Sequence, residues 1–354
     1  MQQQNKNSEF EGFCYSGERF ADLQMLRYRL NGFESLSLRQ KLYVYYLSKA
    51  TLAGRDITTD QFGFYNLDIR KVLEAVYVNY QGNKECEDFI AMTIYLKRIW
   101  FSNGIYHHYG SEKFAPEFSP AFLLDAMKSI EPSLLPLAKG ETVDGLFDRL
   151  KSAIFDPSFL PKKVNKADGC DLVATSACNF YHNVSQHEVE DYYSSLKATV
   201  EKNPPSFGLN SRLVKQNGEL IEQVWKIDGM YSKAIEIIVS YLRQAAEYAE
   251  NEQQQKIISL LISYYQTGDL RVFDKYSIEW LKEQDGRIDF INGFIEVYND
   301  PLGVKASWEG IVEYKDLVAT RRTRTISDNA QWFEDNSPVD SRFKKKIVKG
   351  VTAN

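Results

Sequence analysis

The sequence lacks most of the features that mark a membrane, secreted or nucleic-acid-binding protein. It has four cysteines and no CxxC pair, which favours free thiols in a reducing compartment and therefore a cytoplasmic protein. No apolar run has the length of a membrane-spanning helix, and the polar start MQQQNKNSEF has no apolar signal region. The net charge of −5 gives no electrostatic footprint for nucleic acid or an anionic membrane. We therefore expect neither a membrane nor a nucleic-acid partner.

Familiar catalytic motifs are also missing. There is no Gly-rich phosphate loop, no G-x-S-x-G elbow and no Cys-His signature. A zinc-peptidase helix needs two histidines one turn apart with a glutamate between them, and no such pair occurs. The two adjacent histidines in a loop are more simply an ordinary loop pair than a metal site. The histidines are His107, His108, His182 and His187.

What the sequence does have is apolar and aromatic content. The chain has 354 residues, of which 44% are hydrophobic, with 22 Tyr, 21 Phe and only 10 Pro. This composition predicts a substantial core built from helices with aromatic packing faces. The length predicts two structural units, or one large unit and part of another.

Several local patterns predict helices. Ser37 with Gln40 and Ser185 with Glu188 have the form of capping boxes, and the second explains Glu188 better than a catalytic role does. Asn66 is predicted to cap the next helix after the first. Further helical patterns are predicted over 85–100, 121–130, 143–155, 231–250, 253–266 and 270–283.

The strand signals are fewer and lie mostly late in the chain. Residues 211–227 predict a hairpin around Asn217 and Gly218, and the period of two over 288–314 predicts two more strands that flank an NDPLG turn. Together the patterns predict an α+β fold in which helices surround a small, mostly antiparallel sheet or barrel. Residues 1–316 are predicted to form this domain, and 317–354 the start of a second, helical one.

The stretch GFIEVYNDPLG, residues 293–303, places a carboxylate between aromatic rings. Strand alternation predicts that Phe294, Glu296 and Tyr298 share one face. Two interpretations stay open at this point. Glu296 is either a solvated residue on an exposed face, or the part of a cleft wall that receives a cation.

Five stretches resemble the dipeptidyl peptidase III family in its Bacteroides-like form, at the amino-terminal end of the family protein. The resemblance runs in the same order over nearly the whole chain but covers only about the first half of a family member. The stretches are 17–61, 66–77, 105–119, 207–215 and, above all, GFIEVYNDPLGVKASWEGIVE at 293–313.

The resemblance implies the lower domain of a two-domain zinc exopeptidase, built around a small β-barrel. Family members release dipeptides from the amino termini of short peptides that they bind in extended form. Their zinc ligands lie in the upper domain, on a His-Glu-x-x-Gly-His helix and a later Glu-containing helix, and this sequence contains neither motif. Zinc is therefore implied for the intact protein only. We expect no catalytic or metal-binding residue in this segment, and no hydrolysis by the isolated chain.

The resemblance also bears on the site residues. It implies that Glu296 helps bind the free amino terminus of the peptide and that Tyr298 lies on the same cleft wall. A fixed carboxylate at the cleft end binds the peptide's terminal ammonium, so that the bond to be cleaved lies two residues from the amino terminus. Phe294 is added from strand alternation, and Trp308 and Glu309 from pairing across the hairpin.

The sequence is also compatible with two other functions. A non-catalytic peptide-binding or protein-binding module derived from the same fold would use the same residues without chemistry. A helical scaffold with no ligand is what composition alone would predict.

Overall fold

The computed structural model describes residues 12–200 and 202–348. In this part of the chain helices predominate and the strands are short, so the predicted α+β class is confirmed. The helices are α1 (Leu38–Ala53), α2 (Arg55–Gln61), α3 (Asn66–Asn79), α4 (Glu87–Ser102), α5 (Pro120–Lys128), α6 (Val143–Phe155), α7 (Gln186–Ala198), α8 (Ser232–Tyr248), α9 (Glu252–Thr267), α10 (Leu270–Trp280), α11 (Leu317–Asp328) and α12 (Ala330–Asn336). The strands are β1 (Ser16–Phe20), β2 (Leu23–Leu26), β3 (Tyr181–His182), β4 (Ser211–Gln216), β5 (Glu219–Val224), β6 (Ile288–Glu296) and β7 (Ser307–Tyr314).

The strands form small sheets that stay open. Within the described residues there are two two-stranded sheets, β1–β2 and β6–β7, and one three-stranded sheet in the order β3–β4–β5. Every pairing is antiparallel except that of β3 with β4. The predicted small, mostly antiparallel sheet is therefore present, whereas a closed barrel is not formed by these strands.

Local sequence signals were reliable where they act over a few residues. Both predicted capping boxes are confirmed, at Ser37 before α1 and at Ser185 before α7. The predicted hairpin is also confirmed, since β4 and β5 pair around Asn217 and Gly218, which both have positive φ. Glycine and asparagine adopt this conformation more readily than other residues, which is why the dipeptide favours a two-residue turn.

The prediction for Asn66 is wrong. Tyr65 is the N-cap of α3, and Asn66 is the first residue of the helix and fully buried. Its side-chain Oδ1 accepts a hydrogen bond from the backbone N–H of Ile105 at 3.3 Å. Asn66 therefore ties α3 to the loop after α4, a tertiary role that local sequence does not encode.

The apolar residues form two core clusters. The first joins α1 and α7–α10 to β4–β7 and includes the fully buried rings of Phe180, Trp225 and Tyr265. The second joins α3–α6 and includes Leu73 and Met92. Helix α1 packs along α8 and against β7, which places the β6–β7 hairpin on the first cluster. No described helix is both long enough and apolar enough to cross a bilayer.

The carboxyl-terminal helices begin where the domain boundary was predicted. Helix α11 starts at Leu317, with Asp316 as N-cap, and α12 packs against it. The assignment of residues 317–354 to a second domain stays a prediction, and its last residues, 349–354, lie outside the described part of the chain.

Candidate functional site

The β6–β7 hairpin contains a β-bulge beside the residues singled out in the sequence. Phe294 pairs with Trp308, but Glu296 pairs with Ser307. The pairing therefore advances by two residues along β6 and by only one residue along β7. Paired residues share a face, and successive residues on a strand point to opposite faces. The extra residue, Ile295, therefore turns Glu296 to the face opposite Phe294.

The prediction that Phe294 shares a face with Glu296 is thus wrong. The Phe294 side chain is fully buried, with its ring centroid 4.7 Å from that of Trp225. Trp308, on the same face, is 4% exposed, and its Nε1 donates a hydrogen bond to the Tyr265 hydroxyl at 3.1 Å. Its ring lies so close to Gly54 that a Cβ there would approach it to 2.3 Å. We call this side of the hairpin, carrying Phe294 and Trp308, the core face.

The opposite side carries the predicted carboxylates and tyrosine. Glu296 and Glu309 lie on the face away from Trp308, and Tyr298 follows just beyond the strand with 64% of its side chain exposed. Burial and then the charge of Glu296 raise the pKa of Glu309. Burial and then the charges of Glu309 and Glu296 raise the pKa of Tyr298. These three residues therefore interact electrostatically. We call the side of the hairpin that carries them the outer face.

The outer carboxylates have no cationic partner in the part of the chain that the structure describes. Neither Glu296 nor Glu309 forms an ion pair with a described Lys, Arg or His. The charge of Glu296 disfavours the ionised form of Glu309, and a bound cation relieves this repulsion. The arrangement is suited to receive an ammonium group.

The turn between β6 and β7 is held by Asp300, a buried carboxylate. It accepts hydrogen bonds from the Tyr181 hydroxyl at 2.8 Å and from the backbone N–H groups of Val304 and Lys305, both at 2.8 Å. Burial raises its pKa, while these hydrogen bonds oppose the rise. Asp300 therefore fixes the loop that follows Glu296 and Tyr298.

A buried lysine lies in the same connection, shortly before β7. The Lys305 side chain is fully buried, and its ammonium donates to the hydroxyls of Tyr193 and Ser211 and to the Gly208 carbonyl. Burial lowers its pKa to about 7, although the charge of Glu222, 3.9 Å away, opposes the change. Sequence analysis did not single out Asp300 or Lys305, although a carboxylate inside an NDPLG turn is a local signal for such a bond.

The two adjacent histidines form a stacked pair in the loop after α4. His107 and His108 are stacked in a loop with ring centroids 4.4 Å apart, and His107 Nδ1 accepts from the backbone N–H groups of Tyr109 and Gly110. Glu188 closes the cap of α7, as predicted. Among the described residues no three His, Cys, Asp or Glu side chains are grouped so that they could hold a metal ion.

The structure thus brings together only part of the predicted site. Glu296, Tyr298 and Glu309 lie together, whereas Phe294 and Trp308 belong to the core. That any of these residues contacts a substrate stays a prediction.

Comparisons with known proteins point to one family. A sequence model of peptidase family M49 matches residues 175–349, a range that includes the whole hairpin. Dipeptidyl peptidase 3 of Dictyostelium discoideum is 23% identical over 344 residues, which cover 90% of this chain and 48% of the relative. The human protein of the same name is 21% identical over 353 residues, with 88% and 46% covered. The chain spans about half the length of the curated relatives it matches.

Solved structures agree in fold. Dipeptidyl peptidase III from Caldithrix abyssi aligns with a TM-score of 0.59 at 18% identity, over 89% of this chain and 47% of the other. The enzyme from Corallococcus sp. strain EGB aligns with a TM-score of 0.57 at 16% identity, over 90% and 46%. Sequence, family model and fold therefore agree in supporting a dipeptidyl peptidase III family protein, of peptidase family M49.

Proposed function

We propose that this chain forms the substrate-cleft part of a dipeptidyl peptidase III-like zinc exopeptidase, in which Glu296 binds the free amino terminus of a short peptide. The observation that carries the proposal is the outer face, where Glu296 and Glu309 lie together without an ion pair among the described residues. An α-ammonium brings one positive charge and three hydrogen-bond donors, which suit two carboxylates. Tyr298 adds an exposed ring and a hydroxyl beside them.

The peptide would lie extended along the hairpin. Peptide binding next to a strand uses main-chain hydrogen bonds, which tolerate many side-chain sequences. Dipeptide release then follows from geometry, because the fixed carboxylate sets the distance from the amino terminus to the scissile bond. Partners of this kind, short peptides in extended form, remain part of the proposal, as does a cytoplasmic location.

The residues described here do not fit a zinc site. His107 Nδ1 is engaged by two backbone N–H groups, and no third ligand joins the His107–His108 pair in the described part of the chain. We propose, as the family resemblance implies, that the zinc of an intact enzyme lies in the portion of the relatives' length that this chain does not span. The chain on its own is expected to release no dipeptide from a chromogenic substrate, even with added zinc.

Calorimetry with tetra-alanine tests the proposal directly. The free peptide should bind the 354-residue chain about tenfold more tightly than its N-acetylated form, because acetylation removes the charge that the outer face binds. Equal affinities, or no binding of either peptide at millimolar concentration, would refute amino-terminus recognition.

A peptide-binding module without catalysis is the second candidate. It is favoured by one observation, that Glu296, Glu309 and Tyr298 lie together in a chain whose described residues hold no cluster of three or more His, Cys, Asp or Glu side chains suited to a metal ion. Immunoprecipitation of the native protein from its source cells separates the two candidates. Zinc-dependent release of dipeptides from the precipitate favours the peptidase, and peptide binding without release favours the module.

A further inference from the structure

A cavity of about 520 Å³ lies beside Tyr298. One wall is the loop after α4, with His108 and Tyr109, and another is the segment 162–167. Tyr298 and Asn299 complete it from the hairpin side. Among its described lining residues are three lysines and no aspartate or glutamate; the lysines are Lys162, Lys163 and Lys166. The cavity is therefore positive, next to an outer face that is negative.

Lys163 is the unusual member of this set. Its side chain is 3% exposed, and its ammonium lies 4.3 Å from the centroid of the Phe62 ring. No described carboxylate lies within ion-pair distance of it. Burial lowers its pKa to about 8. A buried ammonium without an anion is costly, and a cation–π contact compensates only partly for its lost hydration.

His108 provides a second unpaired group at the same cavity. Its Nδ1 is buried and, in the described structure, has no hydrogen-bond partner. Burial first, and then the charges of His107 and Lys163, lower its pKa. The lowered pKa favours the neutral imidazole, whose Nδ1 is able to carry a hydrogen for a bound acceptor.

We propose that this cavity is a carboxylate-binding subsite in which Lys163 pairs with an acidic group of the same peptide whose amino terminus Glu296 binds. Tyr298 lies at the junction, since it lines the cavity and also interacts with Glu296 and Glu309. The chain therefore selects short peptides with a negative charge close to their amino terminus. That the ligand is a peptide rests on the proposed function; the subsite itself rests on the cavity and its unpaired cation.

A side-chain carboxylate and a carboxyl terminus share this chemistry, and a peptide series distinguishes them. Calorimetry on the full chain compares Ala-Asp-Ala-Ala-amide with Ala-Asn-Ala-Ala-amide, and Ala-Ala-Ala with Ala-Ala-Ala-amide. One charge-assisted pair corresponds to a preference of about tenfold. A preference for Asp over Asn identifies the side chain as the source, and a preference for the free acid over the amide identifies the carboxyl terminus. Differences below twofold in both pairs would overturn the proposal.

Lys163→Met tests the residue itself. Methionine has a similar length without the charge, so the carboxylate preference should disappear while the melting temperature stays unchanged or rises. Lys166→Met, at an exposed position of the same wall, is the matched control and should keep the preference. A full preference in Lys163→Met would contradict the assignment. If that variant does not fold, the peptide series on the unmodified chain decides.

N-acetylated versions of the same peptides separate this proposal from the proposed function. If acetylation does not change the affinity but the peptides with a carboxylate still bind more tightly, amino-terminus binding is refuted and the subsite is retained. Sensitivity to acetylation with no carboxylate preference keeps the proposed function and refutes the subsite.

Discussion

The two faces of the β6–β7 hairpin differ in how completely the fold satisfies their side chains. On the core face, Phe294 and Trp308 are buried among aromatic rings, and the Trp308 indole has its hydrogen-bond acceptor. On the outer face, Glu296 and Glu309 repel each other and have no ion-pair partner among the described residues. Packing explains the core face, whereas no contact among the described residues accounts for carboxylates on the outer one.

The same contrast separates two carboxylates four residues apart. Asp300 is fully buried and accepts hydrogen bonds from Tyr181 and three backbone N–H groups, while Glu296 is exposed. A buried and satisfied carboxylate stabilises the fold. An exposed and unpaired one beside a second carboxylate is available to a ligand. The difference distinguishes a structural carboxylate, Asp300, from the candidate binding residue Glu296 at the end of β6.

Truncation of the core face should have the largest effect on stability. Phe294→Ala should lower the free energy of unfolding by about 4 kcal/mol, since it leaves a cavity among Trp225 and Tyr265. Tyr298→Ala, on the outer face, should change it by less than about 0.5 kcal/mol. Urea denaturation of both variants provides the values, and similar losses would remove the distinction between the faces.

Removal of the buried carboxylate of Asp300 should have the second-largest effect on stability. Asp300→Ala should cost about 3 kcal/mol, because it leaves the Tyr181 hydroxyl and the backbone donors of the turn unpaired in the interior. Glu296→Ala is the control and should leave the denaturation midpoint within error. A stable Asp300→Ala variant would mean that the turn is held by packing alone.

Lys305 should make stability depend on pH. Its pKa in the folded chain is about 7, far below the ordinary lysine value of about 10.4. Between these values the unfolded chain binds a proton that the folded chain does not, so the free energy of unfolding rises with pH. From pH 7 to pH 9 the chain should gain up to about 2 kcal/mol relative to Lys305→Met.

Denaturation of both proteins at several pH values measures this difference. Lys163 titrates in both proteins, so its contribution cancels in the comparison. Parallel curves would show that the Lys305 ammonium is adequately solvated in the folded state.

The sequence predicted what short-range chemistry determines. The capping boxes at Ser37 and Ser185 and the Asn217–Gly218 turn depend on neighbours a few residues away, and all three are confirmed. The α+β class followed from the same local patterns together with the family resemblance. Glu296, Tyr298 and Glu309 were also singled out from the sequence, and they lie close together, but their contact with a substrate stays a prediction.

What the sequence could not predict depends on distant partners. The bulge at Ile295 arises from the register between β6 and β7, so plain alternation put Phe294 on the wrong face. The role of Asn66 depends on a loop 39 residues later. Lys163 was not singled out from the sequence, because its burial against Phe62 is visible only in the folded chain.

The most direct test of the account is a cycle that combines Glu296→Gln with N-acetylation of a tetra-alanine peptide, measured by calorimetry. Glutamine keeps the shape and removes the charge. The account predicts that the substitution weakens binding of the free peptide about tenfold and leaves binding of the acetylated peptide unchanged. Equal effects on the two peptides, or none on either, would contradict it and make Glu296 a solvated surface residue.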